Sequence, residues 1–298
     1  MNNNIIFEVI PPSKMASGAY TNKLIDKVAD TVNEIKNISM LNVPEIVDEN
    51  HIGIPYYRNI DVRKFGKILM ERCKKDIMVN TVVAYHSKNQ FGQWLDESIN
   101  DYGIKNFVFV GQKINSIKYP GPSIIDANSI ARNKKISFGN IFIPERENEA
   151  DRLISKTSAG CNFFTSQVLF EPYNVLNVIK EYYTKCSKAD LMPAKFFLSF
   201  SPVSNLEDIA FIKWLGAEIK EKTEKRLKSA QNFGEESIRV IIGVLDEIID
   251  FFDKMDIKIP LGLNIEYVAL HNLELSKNLV NTLFDSERYK YILNYQDE

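Results

Sequence analysis

The chain has 298 residues, of which 45% are hydrophobic and 26% are charged, and its formal net charge is −2. This composition is typical of a globular protein with a large apolar core. The near-neutral charge argues against a nucleic-acid partner or an anionic membrane surface, because both are bound through clustered Lys and Arg. The most apolar stretch, at 238–252, contains three acidic residues, so no membrane-spanning helix is predicted.

Cysteine and histidine usage indicates the cellular compartment. The residues at 1–4 lack the basic segment of a secretory signal, and the three cysteines are far apart in the sequence. We therefore expect free thiols in the reducing environment of the cytoplasm. The three histidines form no ligand pair, so no metal site is expected. The sequence leaves open whether the chain forms a homo-oligomer.

Strand-like and helix-like segments alternate along the chain. The predicted order is strand 5–10, helix 20–37, strand 40–47, helix 61–74, strand 77–84, helix 90–102, strand 107–110, helix 123–131, strand 136–143, helix 145–158, strand 162–169, a helix from Pro172, strand 196–200, helices 204–215 and 235–255, strand 259–268 and helix 271–284. Repeated βα units imply a parallel sheet. Eight of them favour an α/β fold with a single (β/α)8 TIM barrel, spanning 1–298 as one domain.

An open, doubly wound sheet is the alternative architecture. Such sheets that bind dinucleotides or nucleotides carry a Gly-x-Gly-x-x-Gly turn or a Walker loop after a strand. The sequence contains neither motif after any predicted strand. The closed barrel is therefore the preferred interpretation.

Glu8 is the clearest candidate for a catalytic residue. It lies late in the first predicted strand, on the same face as Ile6 and Ile10. In a barrel enzyme the chemistry takes place at the C-terminal ends of the strands. A carboxyl between two isoleucines loses solvation, which raises its pKa and suits it to donate a proton near neutral pH. A buried Glu paired with a cation, or a solvated Glu at a strand end, is the structural alternative.

Other polar residues interrupt or follow the apolar strands. Gln112 and Gln167 end two of them, and their amides can both donate to and accept from the edge of a heterocycle. Four more residues of this kind are Glu45, Asn80, Asn140 and Glu266. Each is by itself more typical of a loop cap or a structural contact. Together they predict a polar small-molecule pocket at one end of the barrel.

Three further features have ordinary structural interpretations. His86 follows the third strand and is either an acid–base residue or, more commonly for such a position, a surface-loop histidine. The segment 218–228 is rich in Lys and Glu, which is typical of a solvated helix face. Tyr56 and Tyr57 are expected in a surface loop, with a lid as the alternative.

Five stretches resemble methylenetetrahydrofolate reductases, in the order of that family and nearly over the whole chain. Phe-Glu-Val-Ile-Pro-Pro at 7–12 is similar to the family's Phe-Glu-Phe-Phe-Pro-Pro, and Pro-Val-Ser-Asn at 202–205 matches a loop of the family. The other three are 102–104 with 111–112, 159–162 with 166–167, and 266–271 with Glu274 and Ser276.

The resemblance implies a barrel enzyme of one-carbon and methionine metabolism. Family members hold a flavin, usually FAD, which NAD(P)H reduces and which passes a hydride to methylenetetrahydrofolate. By this resemblance Glu8 is the general acid that opens the one-carbon bridge. Gln167, Gln112 and Glu266 are then expected to bind the folate or a related reduced pterin. The positions expected on the cofactor side are Asn80, Gly111, Gln112, Asn140 and Ala269.

Several residues depart from the family pattern on the flavin side. Val110-Gly111-Gln112 replaces Arg-Gly-Asp, residues 44–47 replace Thr-Tyr-Gly-Ala, and Asn80 replaces a His. Ala269 and His271 replace a Thr and an Asn. Because of these changes, a barrel that has lost flavin chemistry remains an alternative. Such a barrel would either bind a pterin as a subunit or regulator, or reduce the pterin directly with a nicotinamide. A different pterin-dependent one-carbon protein, such as a methyltransferase subunit, is a third alternative.

Overall fold

A computed structural model describes residues 4–35, 38–113, 116–267 and 269–289. Parts of three sequence predictions lie outside the described residues: the start at 1–3, the end of the first helix at 36–37, and Val268 at the end of the last strand. Within the described residues, the three cysteines are buried free thiols.

Helices and strands alternate along most of the chain, as predicted. In chain order they are β1 (Ile5–Glu8), α1 (Gly18–Glu34), β2 (Met40–Val43), β3 (Val47–Glu49), β4 (Pro55–Tyr57), α2 (Val62–Cys73), β5 (Asp76–Val82), α3 (Lys88–Asn100), β6 (Asn106–Val110), α4 (Ile124–Ala131), β7 (Ser137–Phe142), α5 (Glu149–Ser158), β8 (Phe163–Val168), α6 (Tyr173–Lys188), β9 (Lys195–Phe200), α7 (Leu206–Trp214), α8 (Glu221–Ser229), α9 (Phe233–Met255), β10 (Leu261–Ile265) and α10 (Leu273–Phe284).

Eight parallel strands close into a barrel in the order β1-β10-β9-β8-β7-β6-β5-β2. Each of these strands is followed by at least one helix, so the architecture is the predicted (β/α)8 barrel. The described residues contain no helix that is both long and apolar enough to cross a membrane.

The described residues group into two compact units. Unit A consists of Phe7–Ile141 and Ser155–Phe163. Unit B consists of the described residues within 1–6, 142–154 and 164–298. Each unit has buried apolar residues and buried polar side chains of its own.

The strand register of unit A separates an inner face from a face covered by helices. Asn42 pairs with Met78, Asn80 with Val108, and Phe109 with Asn140. A Cβ on Gly66 of α2 would lie 2.9 Å from the Ile77 side chain, so the helix backbone packs directly against the odd-numbered side chains of β5. The even-numbered side chains of β2 and β5 therefore lie on the inner face.

Local sequence signals fix the helix ends in unit A. Ser87 and Gln90 form a reciprocal capping box at the start of α3, which satisfies two backbone N–H groups that have no partner within the helix. Asp61 accepts from the Arg63 N–H at the start of α2, and Lys74 ends that helix in the left-handed conformation at φ 53°. The first turns of both helices are thus held at the C-terminal ends of the preceding strands.

Unit B has its main apolar cluster around α7, α8 and α9. Its buried members include Phe170, Ile209, Ile212, Leu227 and Val240. The Lys- and Glu-rich segment forms α8, which buries Leu227 and pairs Lys225 with Glu221 and Lys228 with Glu224 on its outer side. The predicted solvated helix face is confirmed.

The predicted strand at 40–47 is wrong in its second half. Barrel strand β2 stops at Val43 before Pro44, and Val47–Glu49 instead pairs antiparallel with Pro55–Tyr57 as the hairpin β3–β4. Tyr56 and Tyr57 are therefore strand residues and not the expected loop. Pro44 lacks the N–H that a longer barrel strand needs, and Gly53 at φ 79° permits the tight turn.

Candidate functional site

Glu8 ends β1 and is half-buried beside a fully buried asparagine of β2. The Asn42 amide nitrogen Nδ2 donates to Glu8 Oε2 at 2.7 Å. The Val9 N–H donates to the Asn42 carbonyl at 2.7 Å, which joins the ends of β1 and β2 at this point. The structure thus places the candidate acid at the C-terminal end of its strand, with a neutral hydrogen-bond donor on one carboxyl oxygen.

Two amide oxygens on the inner face of unit A are buried and lack a partner. Asn42 Oδ1 and Asn80 Oδ1 accept no hydrogen bond from any residue that the structure describes. Both side chains lie on the same face of the paired strands β2 and β5. A buried acceptor without a donor is costly, so these two oxygens are candidates for accepting from a bound ligand.

Unit B contains a second carboxylate–asparagine pair. Glu266 follows β10 by one residue, and its Oε1 accepts from Asn264 Nδ2 at 2.9 Å. The same Asn264 nitrogen donates to Ser199 Oγ at 3.0 Å, and Asn264 Oδ1 is buried without a partner among the described residues. Residues 264 and 266 lie on the same face because side chains alternate along the chain, so their spacing alone brings them together.

Gln167 is held by the end of a helix in unit B. It lies in β8, and its Nε2 donates to the Leu215 carbonyl, at the C-terminal end of α7, at 2.7 Å. Gly216 follows at φ 99°, and a Cβ there would lie 3.4 Å from Gln167 Nε2. The side chain is half-buried, and this hydrogen bond uses one of the two N–H groups of its amide.

Within unit A, the residues predicted to bind a cofactor do not share one face of the strands. Asn140 is fully buried on the helix-covered face, where its amide exchanges hydrogen bonds of 2.8 and 3.1 Å with Asn128. Asn80 lies on the opposite, inner face. Gln112 is exposed, two residues beyond β6, and a Cβ on Gly111 would lie 3.3 Å from Ile124. In unit B, the half-buried Ala269 precedes a short helical turn and offers no polar side-chain atom.

Glu45 is a protonatable carboxyl to which sequence reasoning gave little weight. It follows the break after β2, and its Oε2 accepts from the Val82 N–H at 2.8 Å and from Thr81 Oγ1 at 3.2 Å. Burial raises the pKa of this carboxyl to about 7, although these two hydrogen bonds act in the opposite direction. Burial, with the nearby Glu45, also raises the pKa of Tyr57.

The Glu49 carboxylate links the hairpin of unit A to two tyrosines outside the hairpin. Glu49 Oε2 accepts from the Tyr85 hydroxyl at 2.9 Å and from the Tyr119 hydroxyl at 2.7 Å. His86, next to Tyr85, is half-buried, and burial together with Arg63 lowers its pKa. His86 thus lies in a loop, as the sequence suggested, but it is half-buried and not fully exposed.

The Pro-Val-Ser-Asn loop of unit B is joined to the start of α10 by Asp208. This carboxylate accepts from the Ser204 N–H and Oγ, from Asn272 Nδ2, and from His271 Nε2 at 3.1 Å. Burial acts to raise the pKa of Asp208, but these donors outweigh it and the pKa is lowered. His271, one of the departures from the family pattern, therefore has a structural contact here.

Two site residues that sequence reasoning missed are Asn42 and Asn264. Both interrupt apolar strands in the same way as Glu8, and that was the available signal. Asn264 is separated from Glu266 by one residue, so the alternation of side chains along a strand also predicts that these two residues lie close together. Asn42 lies 34 residues from Glu8 in sequence, and only the pairing of the two strand ends shows their contact.

A family model described as mycobacterial methylenetetrahydrofolate reductase matches residues 1–269. The chain belongs to this family. No curated protein matches the chain. Family membership indicates an oxidoreductase and supports a folate-related function, in agreement with the motifs around Glu8 and Gln167.

Solved structures share the barrel fold with this family member. A protein from Clostridium thermocellum, described as binding two copies of 5-methyl-5,6,7,8-tetrahydrofolic acid, is 21% identical with a TM-score of 0.77, and 94% of each chain is covered. The thermostable aldo-keto reductase Tm1743 is 10% identical with a TM-score of 0.53, covering 98% of this chain and 94% of its own. At these identities the likeness concerns the fold alone.

Proposed function

We propose that this chain reduces methylenetetrahydrofolate, or a closely related methylene-pterin, to the methyl form with NAD(P)H as the hydride source. The observation that carries the proposal is the half-buried Glu8 carboxyl at the end of β1, held by Asn42 on a barrel of the methylenetetrahydrofolate reductase family. The 5-methyltetrahydrofolate described for the Clostridium thermocellum protein is the product that this reaction would form.

Glu8 supplies the proton for opening the one-carbon bridge. The carboxylic acid donates its proton to N10 of the substrate as the bond between that nitrogen and the bridging carbon breaks. The electron pair of N5 then forms the iminium ion, and a hydride adds to its carbon to give the N5-methyl group. Glu8 ends as a carboxylate, which the Asn42 amide stabilises by its hydrogen bond.

The predicted cofactor residues do not fit FAD. A flavin dinucleotide carries an anionic pyrophosphate, which proteins bind through cations and free N–H groups. In unit A the amide of Asn140 is occupied by Asn128, Gln112 is exposed, and Asn80 presents an unpartnered acceptor. Glu45 adds a carboxyl where the family has a flavin-side motif. The predicted set therefore does not hold FAD, and we propose that the hydride passes directly from NAD(P)H, whose own pyrophosphate must likewise be bound by residues outside this set.

The test is an assay of the purified chain with 5,10-methylenetetrahydrofolate and NADH or NADPH, with and without added FAD. We expect turnover without a flavin absorption band and no stimulation by FAD. Turnover only with FAD would contradict direct transfer but keep the reductase. An absence of turnover under all conditions, with intact binding of 5-methyltetrahydrofolate, would show a folate-binding protein instead.

A further inference from the structure

The orientation of the Asn42 amide is fixed by its neighbour. In the carboxylate form, which Glu8 has after proton transfer, it only accepts hydrogen bonds, and the atom of Asn42 that lies 2.7 Å from Glu8 Oε2 is then the amide nitrogen. The other end of the amide, Oδ1, is then the acceptor that lacks a partner among the described residues. Asn42 is fully buried, so this oxygen has no access to solvent as a substitute.

The same hydrogen bond distinguishes the two oxygens of Glu8. Oε2 accepts from Asn42, and an oxygen that accepts an N–H in a carboxylic acid is the carbonyl oxygen. When Glu8 is protonated in this arrangement, the proton is therefore carried by Oε1. The asparagine does not change its own protonation state in the reaction.

We propose that Asn42 is a positioning and specificity-determining residue, which keeps the transferable proton on Glu8 Oε1 and accepts a hydrogen bond from an N–H group of the reduced pterin through Oδ1. The inference rests on the proposed function, since it concerns the same acid and the same ligand class. Asn80 Oδ1, on the same face of the neighbouring strand β5, is a second acceptor for this ligand.

The chemistry of the ligand matches these acceptors. A reduced pterin carries N–H donors on its ring nitrogens and on its amino group, and its ring is uncharged at neutral pH. Amide oxygens accept from such donors without the desolvation cost of a buried charge. Binding also fixes the amide from both ends, because one end contacts the ligand and the other contacts Glu8. Ligand recognition and orientation of the acid are therefore coupled through one side chain.

Two substitutions separate the two roles. Asn42→Leu removes both the donor and the acceptor and keeps a branched side chain with the same number of heavy atoms. Asn42→Asp keeps an acceptor oxygen for the ligand but places a second carboxyl beside Glu8. Two adjacent carboxyls share a proton, which raises the pH at which the last proton is lost. Asn106→Leu is the matched control, because Asn106 starts β6 at the opposite end of the strands and its amide donates to the Ile77 carbonyl.

The measurements are titration calorimetry with 5-methyltetrahydrofolate and the pH profile of kcat/KM, with thermal melts to confirm folding. We expect Asn42→Leu to weaken binding about tenfold, the value of one lost hydrogen bond. The affinity of Asn42→Asp for 5-methyltetrahydrofolate should stay within about threefold of that of the native chain. The alkaline limb of its kcat/KM profile should move to a pH that is higher by about one unit or more. The control should lose stability without changing either measurement.

Either of two results overturns the inference: unchanged binding of 5-methyltetrahydrofolate by Asn42→Leu, or an unchanged pH profile in a folded Asn42→Asp variant. Failure of the proposed function gives a different result. In that case the native chain itself does not turn over the methylene-pterin, whether or not it binds 5-methyltetrahydrofolate.

Discussion

Units A and B each contain a glutamate at the end of a barrel strand with an asparagine donating to it. In unit A the partners come from different strands, Glu8 from β1 and Asn42 from β2, and the donor–acceptor distance is 2.7 Å. In unit B, Asn264 and Glu266 are separated by one residue, and the same amide nitrogen also donates to Ser199. In both pairs the asparagine oxygen is buried without a partner among the described residues.

The difference between the pairs concerns what the amide is used for. Both amide N–H groups of Asn264 are engaged by neighbouring side chains, which indicates a pair held rigidly by its own unit. The Asn42 amide joins two strand ends and presents its oxygen beside the candidate acid. Both pairs thus combine burial with an incomplete set of hydrogen-bond partners, but in unit A the unpartnered oxygen lies beside the proposed proton donor.

The largest contrast is expected in activity. Glu8→Gln should lower kcat about 10³-fold, because general acid catalysis typically contributes 10²- to 10⁴-fold. Glu266→Gln should lower kcat/KM by about tenfold, mainly through KM, because we expect it to contact the substrate without transferring a proton. Steady-state assays of both variants provide the comparison. Equal losses of kcat in the two would remove the distinction between the pairs.

A pH titration of stability tests the buried carboxyl of Glu45 in unit A. Its pKa is about 7 in the folded chain and 4.5 ordinarily, so folding favours the protonated form. The stability that Glu45 contributes is fully present below pH 4.5 and is lost as the pH rises through 7. The loss is at most about 3 kcal/mol.

Urea denaturation between pH 4 and 8 measures this loss. Glu45→Gln should remove it, whereas Glu71→Gln, at an exposed position of α2, should leave it unchanged. A native-like pH dependence in Glu45→Gln would assign the effect to another group.

The two asparagines should differ in stability. Asn264→Leu takes the donor from both Glu266 and Ser199, and we expect it to lower the free energy of unfolding by about 3 kcal/mol. Asn42→Leu takes a donor from Glu8 alone, and we expect a loss of about 1.5 kcal/mol. Denaturant unfolding at pH 7 measures both. A larger loss for Asn42→Leu would mean that its bond to Glu8 is the more structural of the two.

Asp208 in unit B gives the smallest effect and the opposite pH dependence to Glu45. Its pKa is lowered, so the stability it contributes is present above the ordinary pKa and is lost as the pH falls through the folded pKa. Asp208→Asn should cost about 1 kcal/mol at pH 7 and progressively less in acid. Asp253→Asn, at an exposed position of α9, serves as the control in the same melts. A loss that is constant with pH would contradict the charge-based explanation.

The alternating pattern of strands and helices was sufficient to predict the eight-stranded barrel. The pattern rests on local properties of the sequence: apolar periodicity, the spacing of βα units, and helix caps such as Ser87 and Asp61. Local properties of this kind predict secondary structure directly. The hairpin β3–β4 was missed because Pro44 and Glu45 were included in one continuous strand. A three-residue strand pair has too short a pattern to recognise, and its pairing depends on contacts such as Glu49 with Tyr85 and Tyr119.

For the site, the sequence by itself determined which residues interrupt apolar strands, and hence Glu8, Gln167 and Glu266 as candidates. It also determined that Asn264 and Glu266 share a face, because strand alternation is a property of the chain. Only the tertiary structure decided that Asn42 donates to Glu8, that Asn140 turns to the helices while Asn80 faces inward, and that burial holds Glu45 near neutrality. These outcomes depend on which strands become neighbours and how much solvent they exclude, and no local pattern encodes either.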